Sequence, residues 1–300
     1  MISVLMLTYN REKLVGQAIE CILVQTYKDF EFIIVDNGSS DESGNIAERY
    51  AEKDSRIKVI HRERGNIGAG RNTALAAVKG EYITFIDDDD ITEPDYLEFL
   101  LNLITENGAD ISICGAADKA FDEKLVMTTE EALLELMRRK KYNVAFPTKM
   151  FRRKIAENLR FPEDGVFDDI ALMYRLIANA ERIAYHGLPK YTFYRHDNNN
   201  SAWTTNHSLL TPQILDEYLE SYRVRTEWLS EKFPESAGLF RYFELSFMIS
   251  MVEKINRYNL QNCSNQLNYM LSVLSADREA LLGSAEVCDF EKEWMQKYVL

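Results

Sequence analysis

The sequence is most informative first in what it lacks. Its 300 residues include only four cysteines, Cys21, Cys114, Cys263 and Cys288, with no C-x-x-C pair and no tight spacing. That pattern argues against a zinc ribbon or a disulfide framework and for free thiols in a reducing compartment. Positive charge is in deficit: 35 Lys and Arg stand against 48 Asp and Glu, a formal net charge of −13. No basic face is broad enough to predict nucleic-acid binding, and there is no acidic tail. Nothing approaches the length of a membrane span. The first residues, Met1-Ile-Ser-Val-Leu-Met-Leu, lack the basic lead and the length of a signal peptide. Internal repeats and low-complexity tracts are missing as well, and Asn198-Asn-Asn200 reads as a polar turn. The expectation is a soluble, cytoplasmic protein.

What the chain does contain is an alternation of short apolar strands and helical stretches. Ile2 to Leu7 reads as a strand, followed by helical spacing at Leu14, Ala18, Cys21 and Ile22. Phe30 to Val35 is a second strand, broken by the turn-rich Asp36-Asn-Gly-Ser-Ser-Asp41. A helix over Ile46 to Ala51, a strand from Ile57 to Ile60 and an Ala-rich helix from Ile67 to Val78 follow. This pace is that of βαβ units and predicts an α/β fold with a mostly parallel sheet. Further on, the sequence predicts a helix from Pro94 to about Thr105, a strand over Ile111 to Ala116, and a helix over 129–139 capped by Thr129. The loop ending in Asp168-Asp169 opens a helix from Ile170 to Ala180, and Tyr191 to Arg195 reads as a late strand. From Ser208 the spacing is helical almost throughout, predicting three to five helices. The expected division is 1–207 for the α/β domain and 208–300 for a helical appendage.

The chemistry concentrates where the strand Tyr82-Ile-Thr-Phe-Ile86 meets four aspartates, Asp87 to Asp90. An apolar, β-branched strand without alternation belongs inside a parallel sheet, and open α/β sheets bind ligands at the carboxyl ends of their strands. Residues two apart in an extended chain face the same way, so Asp87 and Asp89 can share one site. Carboxylates this close repel unless a cation lies among them, and all-oxygen ligands suit Mg²⁺, Mn²⁺ or Ca²⁺. Asp90 and Thr92 are read instead as caps of the helix after Pro94.

Six motifs recur in order: Thr8-Tyr9-Asn10, Gln25-Thr26-Tyr27, Val35-Asp-Asn-Gly-Ser-Ser-Asp41, Gly68-Ala-Gly-Arg-Asn72, Gly80-Glu-Tyr-Ile and Asp87-Asp-Asp-Asp90. In order and spacing the chain resembles family-2 glycosyltransferases of the GT-A fold, over roughly residues 1–200. It looks like a bacterial member that builds a surface polysaccharide. The resemblance implies an inverting transfer from a nucleotide-diphosphate sugar to a hydroxyl of a saccharide or lipid-linked saccharide, with Mn²⁺ or Mg²⁺ as cofactor.

Residue by residue, the resemblance implies that Thr8, Tyr9, Asn10, Asp36, Asn37, Arg71, Asp87 and Asp88 form the nucleotide-sugar site. Asp89 would hold the metal with Asp87, and His196 lies where some GT-A enzymes bring a histidine to metal or diphosphate. Asp169 matches the base that accepts the acceptor proton, with Asp168 beside it. Simpler readings stand next to these: an Asx-turn for Asn37, a solvated arginine for Arg71, a helix cap for Asp169, a plain surface histidine for His196. UDP is favoured, but many relatives carry Asp where this chain has Asn37, and that departure keeps dTDP open beside it.

Gly65-Asn-Ile-Gly-Ala-Gly70 resembles a dinucleotide fingerprint but has Thr73 where its third glycine belongs. A sugar nucleotidyltransferase would need a Gly-rich, Lys/Arg-bearing loop after the first strand, which is missing. A non-catalytic nucleotide-sugar-binding scaffold would have lost Asp89 or Asp169. Two basic clusters, Arg138 to Lys141 and Lys149 with Arg152, Arg153 and Lys154, are read mainly as solvated helix faces, with a lipid phosphate as the other reading. Peripheral contact with the inner face of the membrane and a homodimer both remain open.

Overall fold

The computed structural model describes residues 1–117, 121–165, 167–196 and 202–300. The Asn198–Asn200 turn therefore lies outside the described residues. The chain divides into two compact units, Met1–Tyr194 and Arg195–Leu300.

The first unit is built on a mixed, mostly parallel sheet. Its strands are β1 (Ile2–Thr8), β2 (Phe30–Asp36), β3 (Ile57–His61), β4 (Tyr82–Asp87), β5 (Ile91–Thr92), β6 (Ile111–Ala116), β7 (Lys124–Thr128), β8 (Lys149–Arg152) and β9 (Arg182–Thr192). The order among described residues is β3-β2-β1-β4-β8-β6-β9-β5, with β7 also on β9. β3, β2, β1 and β4 run parallel, and β8 enters antiparallel between β4 and β6. β1, β2 and β4 are apolar because both their faces are covered. The helices are α1 (Val15–Leu23), α2 (Ser43–Ala51), α3 (Ile67–Ala76), α4 (Tyr96–Glu106), α5 (Thr129–Arg138) and α6 (Asp168–Ala178).

Ile2, Val4 and Met6 of β1 join one core with Val15, Ala18, Ile19 and Ile22 of α1 and with Leu97, Leu100 and Ile104 of α4. The alternate face, through Leu7, meets α3 so closely that a Cβ on Gly70 would lie 2.2 Å from the Leu7 side chain. The register fixes what matters for chemistry. Thr8 pairs with Asp36, and Leu7 with Asp87. Three neighbouring strands thus end level, and their polar tips share one edge.

Several local expectations are corrected. The α5 cap is Thr128, one residue before the expected Thr129, in a capping box with Glu131. β9 begins at Arg182, nine residues before the expected strand, because Arg182, His186, Pro189 and Lys190 break its apolar pattern. Lys149 and Arg152 lie on a strand, and Lys149 is wholly buried, its Nζ donating to the Ala145 carbonyl at 2.6 Å. A solvated helix face therefore does not describe them. Asp90 and Thr92 do not cap α4: the helix starts at Tyr96 after Asp95. Asp90 is buried and accepts from Tyr191 Oη at 2.7 Å and Tyr194 N at 2.8 Å. Thr92 Oγ1 accepts from Gln25 Nε2 at 3.1 Å.

The second unit holds, among its described residues, the α-helices α7 (Pro212–Lys232), α8 (Ala237–Arg257), α9 (Ser264–Ala276), α10 (Arg278–Leu282) and α11 (Asp289–Tyr298). Thr211 caps α7 through the Ile214 amide, with Pro212 at the first helical position. α8 is the central helix and packs against α7, α9, α10 and α11. Tyr242 and Ser246 of α8 donate to the buried Glu291 carboxylate of α11, at 2.8 Å for the tyrosine and 2.5 Å for the serine. No helix among the described residues is long and apolar enough to cross a membrane. None of the four cysteines is in a disulfide.

Candidate active site

The carboxyl edge of β1, β2 and β4 gathers the loops after each strand. After β1, Asn10 takes a left-handed backbone (φ 51°) and its Oδ1 accepts from Ser40 N at 2.9 Å. Asn10 N donates to Ser39 Oγ, and Arg11 N to Ser43 Oγ at 2.7 Å. Asparagine tolerates this backbone better than most residues, and such strain tends to sit at functional sites. The first loop is thereby stitched to the one after β2. Thr8 Oγ1 is buried beside it, close enough to the Asp88 carboxylate to favour its charged form. Arg64 stacks its guanidinium on the Tyr9 ring at 3.8 Å.

After β2, the buried Asp36 accepts from Ser39 N through Oδ1 at 3.0 Å and pairs through Oδ2 with His61 Nδ1 at 3.0 Å. His61 Nε2 meets Glu48 at 2.9 Å. These carboxylates, Asp36 first, raise the His61 pKa above its usual 6.5. Asn37 Nδ2 donates to the Gly65 carbonyl at 2.9 Å, while its Oδ1 accepts from Arg62 and from Gly65 N. The Asn37 amide thus ties two loops together, where the simpler expectation had it closing its own turn.

The four aspartates fan out. Asp88 turns back toward β1, accepting from Tyr9 N at 3.2 Å, with Arg11 Nε 3.7 Å away. Burial, then the charge of Asp89, pushes its pKa up to about 7. Asp89 lies 3.8 Å from Arg11 Nε. Asp87 is the most open, and its Oδ1 sits 3.7 Å from Arg71 Nη2. Its pKa is raised by desolvation and by the carboxylates of Asp90, Asp89 and Asp169, against the pull of Arg71. Tyr191 of β9 braces the turn from below, accepting from Asp87 N at 3.1 Å and donating to Asp90.

Arg71 connects this edge to the start of α6. Its Nη1 donates to Asp168 Oδ2 at 2.6 Å and to Asp169 Oδ1. The rings of Phe85, Phe146 and Phe161 surround the guanidinium at 5.5–5.6 Å. Burial alone would lower its pKa, but Asp168, Asp169 and Asp87 outweigh that and raise it. It is a permanently charged, buried tie, and the solvated-arginine reading fails. Asp168, buried next to Asp169, is pushed up to about 6 by desolvation although Arg71 pulls it down.

α3 also holds the segment leading to α6. Asn72 donates to Phe161 O at 3.0 Å and to Glu163 at 2.8 Å, and accepts from Phe161 N. Asn66 caps α3 and donates to Pro162 O. Gly68 permits the approach, since a Cβ there would lie 1.9 Å from Pro162 O.

Of the expected site residues, Thr8, Tyr9, Asn10, Asp36, Asn37 and Asp87 to Asp89 share the strand edge. Asp168 and Asp169 join Asp87 through Arg71. His196 belongs to the second unit. Among the described residues, no three His, Cys, Asp or Glu side chains form a group that could hold a metal unaided. Sequence reasoning missed Arg11, His61, Arg62 and Tyr191. Arg11 directly follows the first motif and His61 pairs with Asp36 across β2 and β3, so strand alignment could have found both. Nothing local marks Tyr191.

A parallel α/β sheet with an acidic carboxyl edge and a helical extension is the architecture of nucleotide-sugar-using transferases of the GT-A type. Residues 3–175 match the sequence profile of Glycosyl transferase family 2. The chain belongs to that family and is a glycosyltransferase by descent. Glycosyltransferase GlyG of Streptococcus pneumoniae is 32% identical over 205 residues, 62% of this chain and 67% of GlyG. The S. aureus TarS 1-349 structure in complex with UDP-GlcNAc covers 95% of this chain and 93% of its own, with a TM-score of 0.64 at 19% identity. The mannosyltransferase PcManGT from Pyrobaculum calidifontis, in complex with GDP-Man and Mn²⁺, covers 99% of this chain and 84% of its own, with a TM-score of 0.55 at 18% identity.

Proposed function

We propose that this chain transfers a glycosyl group, with inversion, from a nucleotide-diphosphate sugar to a hydroxyl of a saccharide or lipid-linked saccharide. The single observation that carries the reading is the Arg71 tie, which sets Asp169 and the Asp87 edge into one cluster. The donor lies across the ends of β1, β2 and β4, where the buried Thr8 hydroxyl and the Tyr9 ring under Arg64 line the edge. UDP is the favoured nucleotide and dTDP the other pyrimidine choice. UDP-GlcNAc in TarS supports the first, while GDP-Man in PcManGT warns that this fold accepts other bases.

Asp169 is the base in this reading. Arg71 engages its Oδ1 and holds the carboxylate in place, leaving Oδ2 for the acceptor hydroxyl. As the acceptor oxygen attacks the anomeric carbon, its proton passes to Asp169 and the bond from that carbon to the diphosphate oxygen breaks on the opposite face. One displacement inverts the configuration and needs no enzyme nucleophile. Asp168 and Arg71 position the base.

The donor set suits a hard divalent ion: Asp87 and Asp89 offer only oxygens, and desolvation first, then the neighbouring carboxylates, raises the Asp87 pKa. Asp89 and Asp87 would hold Mn²⁺ or Mg²⁺. Such an ion would neutralise charge on the departing diphosphate, and Mn²⁺ in PcManGT supports its assignment. The enzyme acts in the cytoplasm or at the inner membrane face, in surface-polysaccharide synthesis.

The test is Asp169→Asn. Transfer should fall by about 10²–10⁴-fold while affinity for the nucleotide diphosphate stays unchanged. Equal loss of both would remove Asp169 from the role of base.

A further inference from the structure

Outside the acidic edge, the second unit contains a groove of about 280 Å³ between α7 and the start of α9. Leu219 forms its buried floor, and the walls are Asp216, Glu220, Arg223, Asn265, Gln266 and Tyr269. Three observations define what such a groove can hold.

Tyr269 is half exposed. An aromatic ring offered to solvent above a small apolar floor suits a flat ligand with an apolar face. The polar walls carry planar groups that hydrogen-bond to one another at the surface. Arg223 donates to Glu220 through Nε at 3.0 Å and Nη2 at 2.7 Å, and to Glu227 through Nη1 at 2.7 Å. Gln266 Nε2 donates to Asp216 Oδ1 at 2.9 Å. Finally, Gln266 Oε1 is buried without a hydrogen-bond partner. An acceptor withdrawn from water and left unpaired is costly, and rotation of the Gln266 amide toward the groove would bring it to a ligand hydroxyl.

Charge and size narrow the class. Asp216 and Glu220 outnumber Arg223, so phosphates, nucleotides and acidic headgroups are disfavoured. The groove is too small for a peptide helix or a whole acyl chain; it fits about one sugar ring. A pyranose has an apolar face of axial hydrogens and a rim of hydroxyls that both donate and accept. We propose that the α7–α9 groove is a binding site for a neutral saccharide, one ring stacking on Tyr269 and its hydroxyls meeting Asp216 and Gln266. It would hold a sugar unit apart from the reacting one, as an enzyme handling a growing saccharide requires. The choice of saccharide over another small polyol rests on the glycosyltransferase reading.

The test is saturation-transfer NMR on the full chain with chitotriose and maltotriose as separate probes at about 10 mM, where even millimolar affinity registers, with UDP and Mg²⁺ present. At least one probe should receive saturation on its ring protons. Tyr269→Ala should lower that signal by about fivefold or more, Tyr269→Phe should retain it, and Gln266→Leu should weaken it. Melting temperature and UDP-dependent stabilisation should be unchanged in all three variants. Signal from neither probe would overturn the proposal, as would equal signal in wild type and Tyr269→Ala. Signal that survives Tyr269→Ala but disappears in Asp169→Asn would place all sugar binding at the transfer site, overturning the groove and leaving the proposed reaction intact. Loss of UDP stabilisation in wild type would instead count against the donor reading.

Discussion

Arg71 is the residue on which the candidate site depends. It is buried among three phenylalanine rings and faces Asp87, Asp168 and Asp169. Arg71→Met would leave the paired carboxylates without their cation, and breaking a buried ion pair from one side costs about 3–5 kcal/mol. Urea denaturation should show a loss of that order. Arg71→Lys should recover only part of it, because an ammonium cannot bridge several carboxylates with a planar fork. A loss near zero for Arg71→Met would mean the cluster is open to water. His61 gives a second residue-scale prediction. Its pKa is raised in the folded chain, so its contribution is complete below the unfolded value of 6.5 and disappears as pH rises through the higher folded value. Melting temperatures of wild type and His61→Gln should therefore differ most near pH 6 and converge in mildly alkaline buffer. A constant difference would mean that the imidazolium pairs with Asp36 and Glu48 do not contribute. Aspartates at a strand end advertise themselves, so Asp87 and Asp89 were legible from sequence alone. The Arg71 tie was not, because its partners Asp168 and Asp169 lie almost a hundred residues away.

Among the elements, α3 determines where the proposed base stands. Asn66 and Asn72 grip the 161–163 segment, and Gly68 lets the two backbones touch. Gly68→Ala places a methyl group 1.9 Å from Pro162 O, a contact that neither backbone can absorb without moving. Overpacking of this kind costs about 1–3 kcal/mol. The shift should pass to the start of α6, so transfer should fall more than nucleotide affinity, read as kcat against donor Kd. An unchanged kcat would dissociate α3 from the base. The sequence made β1, β2, β4 and β6 plain, since they are apolar runs sealed inside the sheet. β7, β8 and β9 were hidden because charged residues punctuate them: Lys149 sits wholly buried in β8, where its charge implied solvent. Asp90 failed as a cap for a related reason. It has two tertiary donors about a hundred residues further on, Tyr191 at the end of β9 and Tyr194 just after it.

At the scale of the whole molecule, the family match ends at residue 175, before the helical unit begins. Its helices were readable from spacing, because an amphipathic stripe records packing. Its groove was not, because Asp216, Arg223 and Tyr269 read as ordinary surface residues until α7 and α9 bring them together. The molecule carries a net charge of −13, and its donor edge is itself acidic, yet the proposed donor is an anion. That combination is why the proposed mechanism turns on a metal ion. The most direct measurement is a thermal-shift panel of UDP, dTDP, GDP and CDP, each with Mn²⁺ and with chelator, on wild type and Asp89→Ala. At about 100-fold excess over its dissociation constant, the right nucleotide should stabilise the wild type by roughly 2.7 kcal/mol, with metal only, and the effect should be lost in Asp89→Ala. Stabilisation that persists in chelator would contradict the metal's role, and no stabilisation by any of the four would contradict the donor site itself.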